Sequence, residues 1–181
     1  MKKYLKCFAV VFVLFIAAGL YVVNTRFPVR YLDIIEAHAG EIDPSWILAV
    51  IMAESSFRPQ VESPRGAQGL MQLMPGTAAE MAQRMGMDFS PEDVWKPEIN
   101  IALGSFYLNR LMTYFNGNIQ LALAAYNAGM GRVNRWLADP EISANGEYLD
   151  VIPFPETRTY LQRVQFNQRV YAVLLAIRRR I

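Results

Sequence analysis

The sequence predicts an all-α domain behind an N-terminal transmembrane helix. Three observations lead there. Apolar residues recur at three- and four-residue spacing through most of the chain, the segments so marked are bounded by helix-capping residues, and no stretch alternates as a strand would. The 181 residues suffice for one domain with a real core.

The first element is an uncharged run over residues 7–23, preceded by Lys2, Lys3 and Lys6 and followed by Arg26 and Arg30. As a helix it reaches roughly 26 Å, enough for a thin bilayer. An uncleaved signal anchor over 1–27 is the favoured reading, with residues 28–181 as the exported domain. The leading lysines put the N-terminus in the cytoplasm and the domain on the extracytoplasmic side of the cell membrane. Ala17-Ala18-Gly19 offers a signal-peptidase exit, which would make the domain secreted, but Leu20-Tyr21-Val22-Val23 continues the apolar run.

Helical punctuation follows. Asp43 caps a helix that starts at Pro44 and ends at Arg58-Pro59. Thr77 and Glu80 form a capping-box pair for a helix closed by Gly86. Ser90, Pro91 and Asp93 open a short helix. From Pro97, the residues Ile99, Ala102, Leu103, Phe106, Leu111 and Phe115 mark one face. Asn116-Gly117-Asn118 is a turn, Ile119 to Asn127 a helix stopped at Gly129, and Gly131 to Leu137 another. Residues 138–154, with Pro140, Gly146 and Pro153, read as a loop. Glu156 to Arg180 forms a long last helix with Leu161, Val164, Val170, Leu174 and Ile177 inward.

Charge and composition exclude several functions. Without the three leading lysines, fifteen basic residues face sixteen acidic ones, so the domain is near −1. Nucleic acid is therefore not an expected partner, and Arg178, Arg179 and Arg180 read as a solvated helix end. Cys7 is the sole cysteine, so the domain has no disulfide. His38 is the sole histidine, which argues against a metal site or a nucleophilic triad. The glycine-rich stretch from Gly66 to Gly76 lacks the lysine of a phosphate loop. No cofactor is expected.

One carboxylate stands out. Glu54 is the only charged residue from Pro44 to Phe57, and helical stacking aligns it with Ile47, Val50 and Ile51. An apolar setting disfavours the ionised form and raises the pKa, leaving an acid able to protonate a leaving group near neutral pH. A structural pairing with Arg58, four residues on, is the alternative. Tyr126-Asn127 with Gly129 and Gly131, and Phe154-Pro155-Glu156-Thr157-Arg158, add aromatic and polar groups suited to a glycan groove.

Four segments in order carry a resemblance. They are Glu54-Ser55, then Ser63-Pro64-Arg65-Gly66-Ala67-Gln68-Gly69 through Gln72 and Met74-Pro75, then Ala125-Tyr126-Asn127-Ala128-Gly129-Met130-Gly131, and Ile152-Pro153-Phe154-Pro155-Glu156-Thr157-Arg158 through Tyr160. Together they resemble the soluble lytic murein transglycosylase family, whose catalytic domain is lysozyme-like of the goose type. The likeness spans roughly residues 30–177. It implies non-hydrolytic cleavage of the MurNAc–GlcNAc β-1,4 bond of peptidoglycan glycan strands, giving 1,6-anhydromuramyl ends.

By the same resemblance Glu54 is the general acid and then the base. Ser63 orients the substrate, Gln72 and Met74 line the groove, and Tyr126 stabilises the reacting centre. Asn127 holds the loop or binds sugar. Glu156 sits beside the substrate's peptide or the catalytic helix, with Tyr160 behind it. Met74 and Tyr160 have plain core packing as their alternative. Ser55 braces the backbone, and Met71 and Leu73 point into the core beneath Gln72 and Met74. A goose-type hydrolase and a non-catalytic wall-binding module remain the rival readings.

Overall fold

The computed structural model describes residues 12, 15, 19 and 21–180. The chain divides into two compact units, Met1–Arg30 and Tyr31–Ile181. In the first, residues 21–26 are helical and the Thr25 hydroxyl donates to the carbonyls of Tyr21 and Val22, both at 3.0 Å. The expected transmembrane helix within 1–27 falls largely outside the described residues. Among the described residues no helix is long and apolar enough to cross a membrane, so that element is no part of the fold below.

The second unit is helical and contains no strand among its described residues, only the isolated bridges Glu62–Gln68 and Gln68–Leu73. The helices are α1 (Leu32–His38), α2 (Pro44–Glu54), α3 (Pro75–Met85), α4 (Pro97–Tyr114), α5 (Ile119–Ala128), α6 (Met130–Leu137) and α7 (Pro155–Arg178), with a 3-10 turn at Pro91–Trp95. Residues 138–154 are loop, as the prolines and Gly146 indicate.

α2 is the buried rod of the fold. The Asp43 side chain caps it by accepting from the Ser45 N–H at 2.9 Å, and Pro44 occupies its first turn. Ile47, Leu48, Ala49, Val50 and Ile51 are all fully buried. At roughly 1.5–3 kcal/mol for each large aliphatic side chain, this run is a major source of cohesion. The helix ends at Glu54 and not at Arg58-Pro59. Ser55 closes it, buried, with both its N–H and its hydroxyl on the Ile51 carbonyl. Ser56 and Phe57 then turn left-handed at φ 52° and 60°, which puts Glu54 on the final helical position.

α7 packs along α2, and four side chains fix its register. Gln168 Nε2 donates to Ser45 Oγ at 3.1 Å, Asn167 Nδ2 to the Ala49 carbonyl at 3.4 Å, and Arg163 Nη1 to the Ala53 carbonyl at 3.4 Å. Tyr160 then faces Glu54. Partner numbers fall as α2 numbers rise, so the helices run antiparallel.

Two expectations for these helices need correction. The buried row of α7 is Thr157, Tyr160, Leu161, Val164, Asn167, Tyr171 and Leu175. Val170 and Leu174 are only half-buried and Ile177 is 52% exposed. Apolar residues occupy nearly every side of the last turns, so spacing alone does not choose the inward face. The Thr77–Glu80 capping box is also absent: α3 starts earlier, at Pro75, with Met74 as a cap that makes no side-chain bond. The Ser90–Asp93 pair does form a capping box.

A folded wall, residues 61–74, stands between α2 and α3. It is pinned to α4 by Asn100, whose side chain accepts from the Met71 N–H at 2.7 Å and donates to the carbonyls of Val94 at 2.9 Å and Gln68 at 3.1 Å. Gly69, at φ 79°, lies so close to the Asn100 amide that a Cβ would collide with it. Gly104 likewise leaves room for the Met71 side chain. Met71 and Leu73 are buried as expected. Asn100→Ala is expected to lower stability by about 3 kcal/mol or more, because three backbone groups lose their partner in the interior. Urea unfolding measures it; a variant as stable as the parent would contradict the pinning role.

Candidate active site

All seven residues singled out by sequence line one open cleft of about 460 Å³: Glu54, Ser63, Gln72, Met74, Tyr126, Asn127 and Glu156. Pro64, Arg65 and Ala67 complete it. Four elements deliver them. Glu54 comes from the end of α2, the next three from the wall, Tyr126 and Asn127 from the last turn of α5, and Glu156 from the first turn of α7.

Glu54 is half-buried and lines the cleft. Dehydration pushes its pKa from the ordinary 4.5 to about 7, against the opposing pull of the Tyr160 hydroxyl and, more weakly, the Arg163 guanidinium. The C-terminal end of α2, where the helix dipole is negative, acts in the same direction as dehydration. Arg58 is not its partner; its Nε donates to the Ser55 carbonyl at 3.0 Å. The sequence alternative of an Arg58-paired structural carboxylate is therefore not what the fold builds.

Tyr160 and Arg163 are neighbours of Glu54 that the sequence reading did not place there. The Tyr160 hydroxyl is buried without a well-formed hydrogen bond among the described residues, yet it couples to the Glu54 carboxylate, and dehydration with that coupling drives its own pKa well above the tyrosine range. The sequence carried part of the signal: Glu156, Tyr160 and Arg163 sit at i, i+4 and i+7, one face of a helix, but that spacing does not say what the face meets. Tyr160→Phe removes a donor that favours the carboxylate. The Glu54 pKa is then expected to rise, moving the alkaline limb of the activity profile to higher pH. An unmoved limb would show that the phenol leaves Glu54 untouched.

The remaining groups are held in place before any ligand arrives. Ser63 Oγ accepts from the Ala67 N–H at 2.9 Å, leaving its own proton to donate into the cleft. Gln72, at φ 49°, uses its amide nitrogen on the carbonyls of Val61 at 2.8 Å and Gly69 at 2.9 Å, which turns its oxygen into a fixed acceptor. The Tyr126 hydroxyl donates to the Met71 carbonyl at 2.8 Å, and its ring lies 5.2 Å from that of Tyr107. Met74 is 45% exposed, so it is cleft surface and not core.

Glu156 meets Arg65 across the rim in a two-pronged pair, both arms 3.3 Å. The partners are 79% and 64% exposed on the Arg65 and Glu156 sides, and a pair so open to water contributes at most about 1 kcal/mol. Its effect is positional: it ties the wall to the start of α7. Beyond it, Arg132 lies 4.8 Å over the Phe154 ring in a basin contiguous with the cleft through Asn127 and Glu156. Among the described residues no cluster of histidine, cysteine or acidic side chains is arranged to hold a metal ion, and His38 is exposed on α1.

This arrangement is matched in known proteins. Residues 33–148 fit the family model described as Transglycosylase SLT domain, a range that holds every cleft residue above except Glu156. The soluble lytic murein transglycosylase of Escherichia coli (strain K12) is 39% identical over 144 residues, 77% of this chain and 22% of that protein. The membrane-bound lytic murein transglycosylase F of Yersinia enterocolitica is 39% identical over 109 residues, 57% of this chain and 21% of that protein.

Among solved structures, an inactive mutant of the lytic transglycosylase Slt from Pseudomonas aeruginosa superposes with a TM-score of 0.75 at 38% identity, covering 85% of this chain and 26% of that one. The 70 kDa soluble lytic transglycosylase of Escherichia coli gives 0.76 at 35% identity, covering 88% and 27%. The chain thus spans roughly a quarter of the length of these relatives. With its helical order, its cleft and a family match over most of the second unit, the chain belongs to the transglycosylase SLT domain family.

Proposed function

We propose that the protein is a peptidoglycan lytic transglycosylase that cleaves the MurNAc–GlcNAc β-1,4 bond without water. The observation that carries this is a single carboxyl, Glu54, poised near pKa 7 in a glycan-sized cleft. Protonated Glu54 gives its proton to the glycosidic oxygen as the bond to the muramyl C1 breaks. The carboxylate left behind takes the proton of the muramyl C6 hydroxyl while that oxygen bonds to C1. The 1,6-anhydro ring closes and Glu54 ends as it began, protonated.

Hydrolysis through two carboxylates requires a second one flanking the bond. Glu156 is engaged with Arg65, and Glu62 is not among the residues lining the cleft. The names of the relatives support the reading. So does the Pseudomonas aeruginosa protein, described as inactive with one glutamate changed to glutamine. Ser63 and Gln72 are assigned to hold sugar hydroxyl and amide groups, Met74 and Asn127 to line the groove, Tyr126 to support the reacting centre and Glu156 to face the peptide stem. An anchor over residues 1–27, setting the domain on the cell-wall side, rests on the uncharged run at 7–23 and the three lysines before it.

Digestion of purified sacculi in ¹⁸O water tests the chemistry. Unlabelled anhydromuramyl ends are expected by mass spectrometry. Label at the new muramyl terminus would mean hydrolysis and overturn the lyase assignment.

A further inference from the structure

A second basin, of about 520 Å³, lies apart from the cleft and shares no lining residue with it. It forms where the end of α4, the start of α5, the second half of α6 and the loop at 146–148 come together. Along α5, Asn118 in this basin and Asn127 in the cleft are nine residues apart, about 14 Å of helix.

The chemistry of its walls is specific. Tyr114 and Tyr148, 52% and 58% exposed, both line the basin, and an aromatic ring with a polar tip offers an apolar face together with a hydrogen-bonding group. Asn134 Nδ2 donates to the Tyr114 hydroxyl at 2.7 Å, fixing that ring from one side, and Phe115 meets it edge-on at 4.9 Å. Asn118 spends its oxygen on the N–H groups of Gln120 and Leu121, which leaves its amide nitrogen as a donor. Asn116 and Glu147 add further polar groups.

The loop carrying Tyr148 is held rigidly by its own bonds. Asn145 Oδ1 accepts from the N–H groups of Glu147 and Tyr148, the Gly146 N–H reaches Ser143 Oγ at 3.1 Å, and the Ser143 hydroxyl in turn donates to the Tyr148 carbonyl. Ser143 is buried under this turn. None of these bonds involves the Tyr148 side chain, which lines the basin half exposed.

We propose that this basin is a second glycan-binding site, taking an N-acetylhexosamine unit of the polymer between Tyr114 and Tyr148 with the asparagine amides and Glu147 reading its polar edge. Aromatic faces flanked by amides and one carboxylate suit a pyranose ring, which is apolar on its faces and hydroxylated around its rim. The proposal rests on the reading of the cleft as a peptidoglycan site. Its consequence is retention of the enzyme on the wall, independent of the bond being cut.

The test uses the full chain in two backgrounds. In the Glu54→Gln background, binding to sacculi and to chitin beads, a peptide-free N-acetylglucosamine polymer, is measured with and without Tyr148→Ala. Affinity for both is expected to fall about tenfold, equivalent to about 1.4 kcal/mol, while Tyr148→Phe, which keeps the ring, stays within about twofold of the parent. In the active background, Tyr148→Ala is expected to slow turnover of sacculi yet leave a soluble peptidoglycan tetrasaccharide cleaved at the parent rate. Unchanged binding, a loss confined to sacculi, or an equal loss on the tetrasaccharide would each overturn the second site. Because binding is read without turnover, full activity of Glu54→Gln would instead remove the assignment of the cleft.

Discussion

Glu54→Gln is expected to lower anhydromuropeptide release from sacculi by at least about 100-fold, the lower end of what a positioned acid contributes. Glutamine keeps the size and planar shape of the side chain but has no acidic proton to lend. Nothing in the core depends on the charge, since the carboxyl makes no ion pair with Arg58 and the helix is already closed by Ser55. Circular dichroism should therefore report an unchanged fold. Mass spectrometry showing undiminished product would remove Glu54 from the chemistry.

The second large effect is a shared pH dependence of activity and stability. The pKa of Glu54 in the folded chain is raised from 4.5 to about 7 by dehydration, with Tyr160 and Arg163 opposing. The active, protonated form is lost as pH rises through about 7, so turnover should fall toward tenfold per unit above that value. Stability moves with the same proton. Below pH 4.5 the carboxyl is neutral in both folded and unfolded chains, and its contribution is fully present. Between pH 4.5 and 7 the unfolded chain ionises first, and stability declines by an amount on the order of 3 kcal/mol.

Melting curves from pH 4 to pH 9 should show Glu54→Gln gaining on the parent across that window and holding the gain above it. A constant difference between the two would mean that the carboxyl is well hydrated. The same result would leave the activity profile without its explanation.

Local chemistry made much of this legible in advance. Asp43-Pro44 and Ser90-Asp93 fixed two helix starts through bonds that the fold contains, and the alternation at 71–74 predicted which of those side chains face the core. Of the cleft residues, residue chemistry singled out Glu54, Tyr126, Asn127 and Glu156, whereas Ser63, Gln72 and Met74 were readable only through the four segments that resemble the family. What escaped depends on tertiary placement. Asn100 looks like an unremarkable polar residue on an apolar helix until the wall at 68–71 is brought against it. The buried row of α7 includes Asn167, whose amide meets the Ala49 carbonyl, and no hydropathy pattern selects a polar residue for the interior. Tyr160 and Arg163 became neighbours of Glu54 only once the antiparallel register of α2 and α7 was known.

That register has a further consequence. Glu156, Tyr160 and Arg163 ride on one rigid rod whose distant turns are keyed to α2 by Gln168 and Asn167. A slip of the rod by a fraction of a turn would withdraw the phenol, the guanidinium and the rim carboxylate from the acid at once. The proton affinity of Glu54 is thus calibrated by a vernier of remote contacts, and a substitution two or three turns away can detune it without entering the cleft.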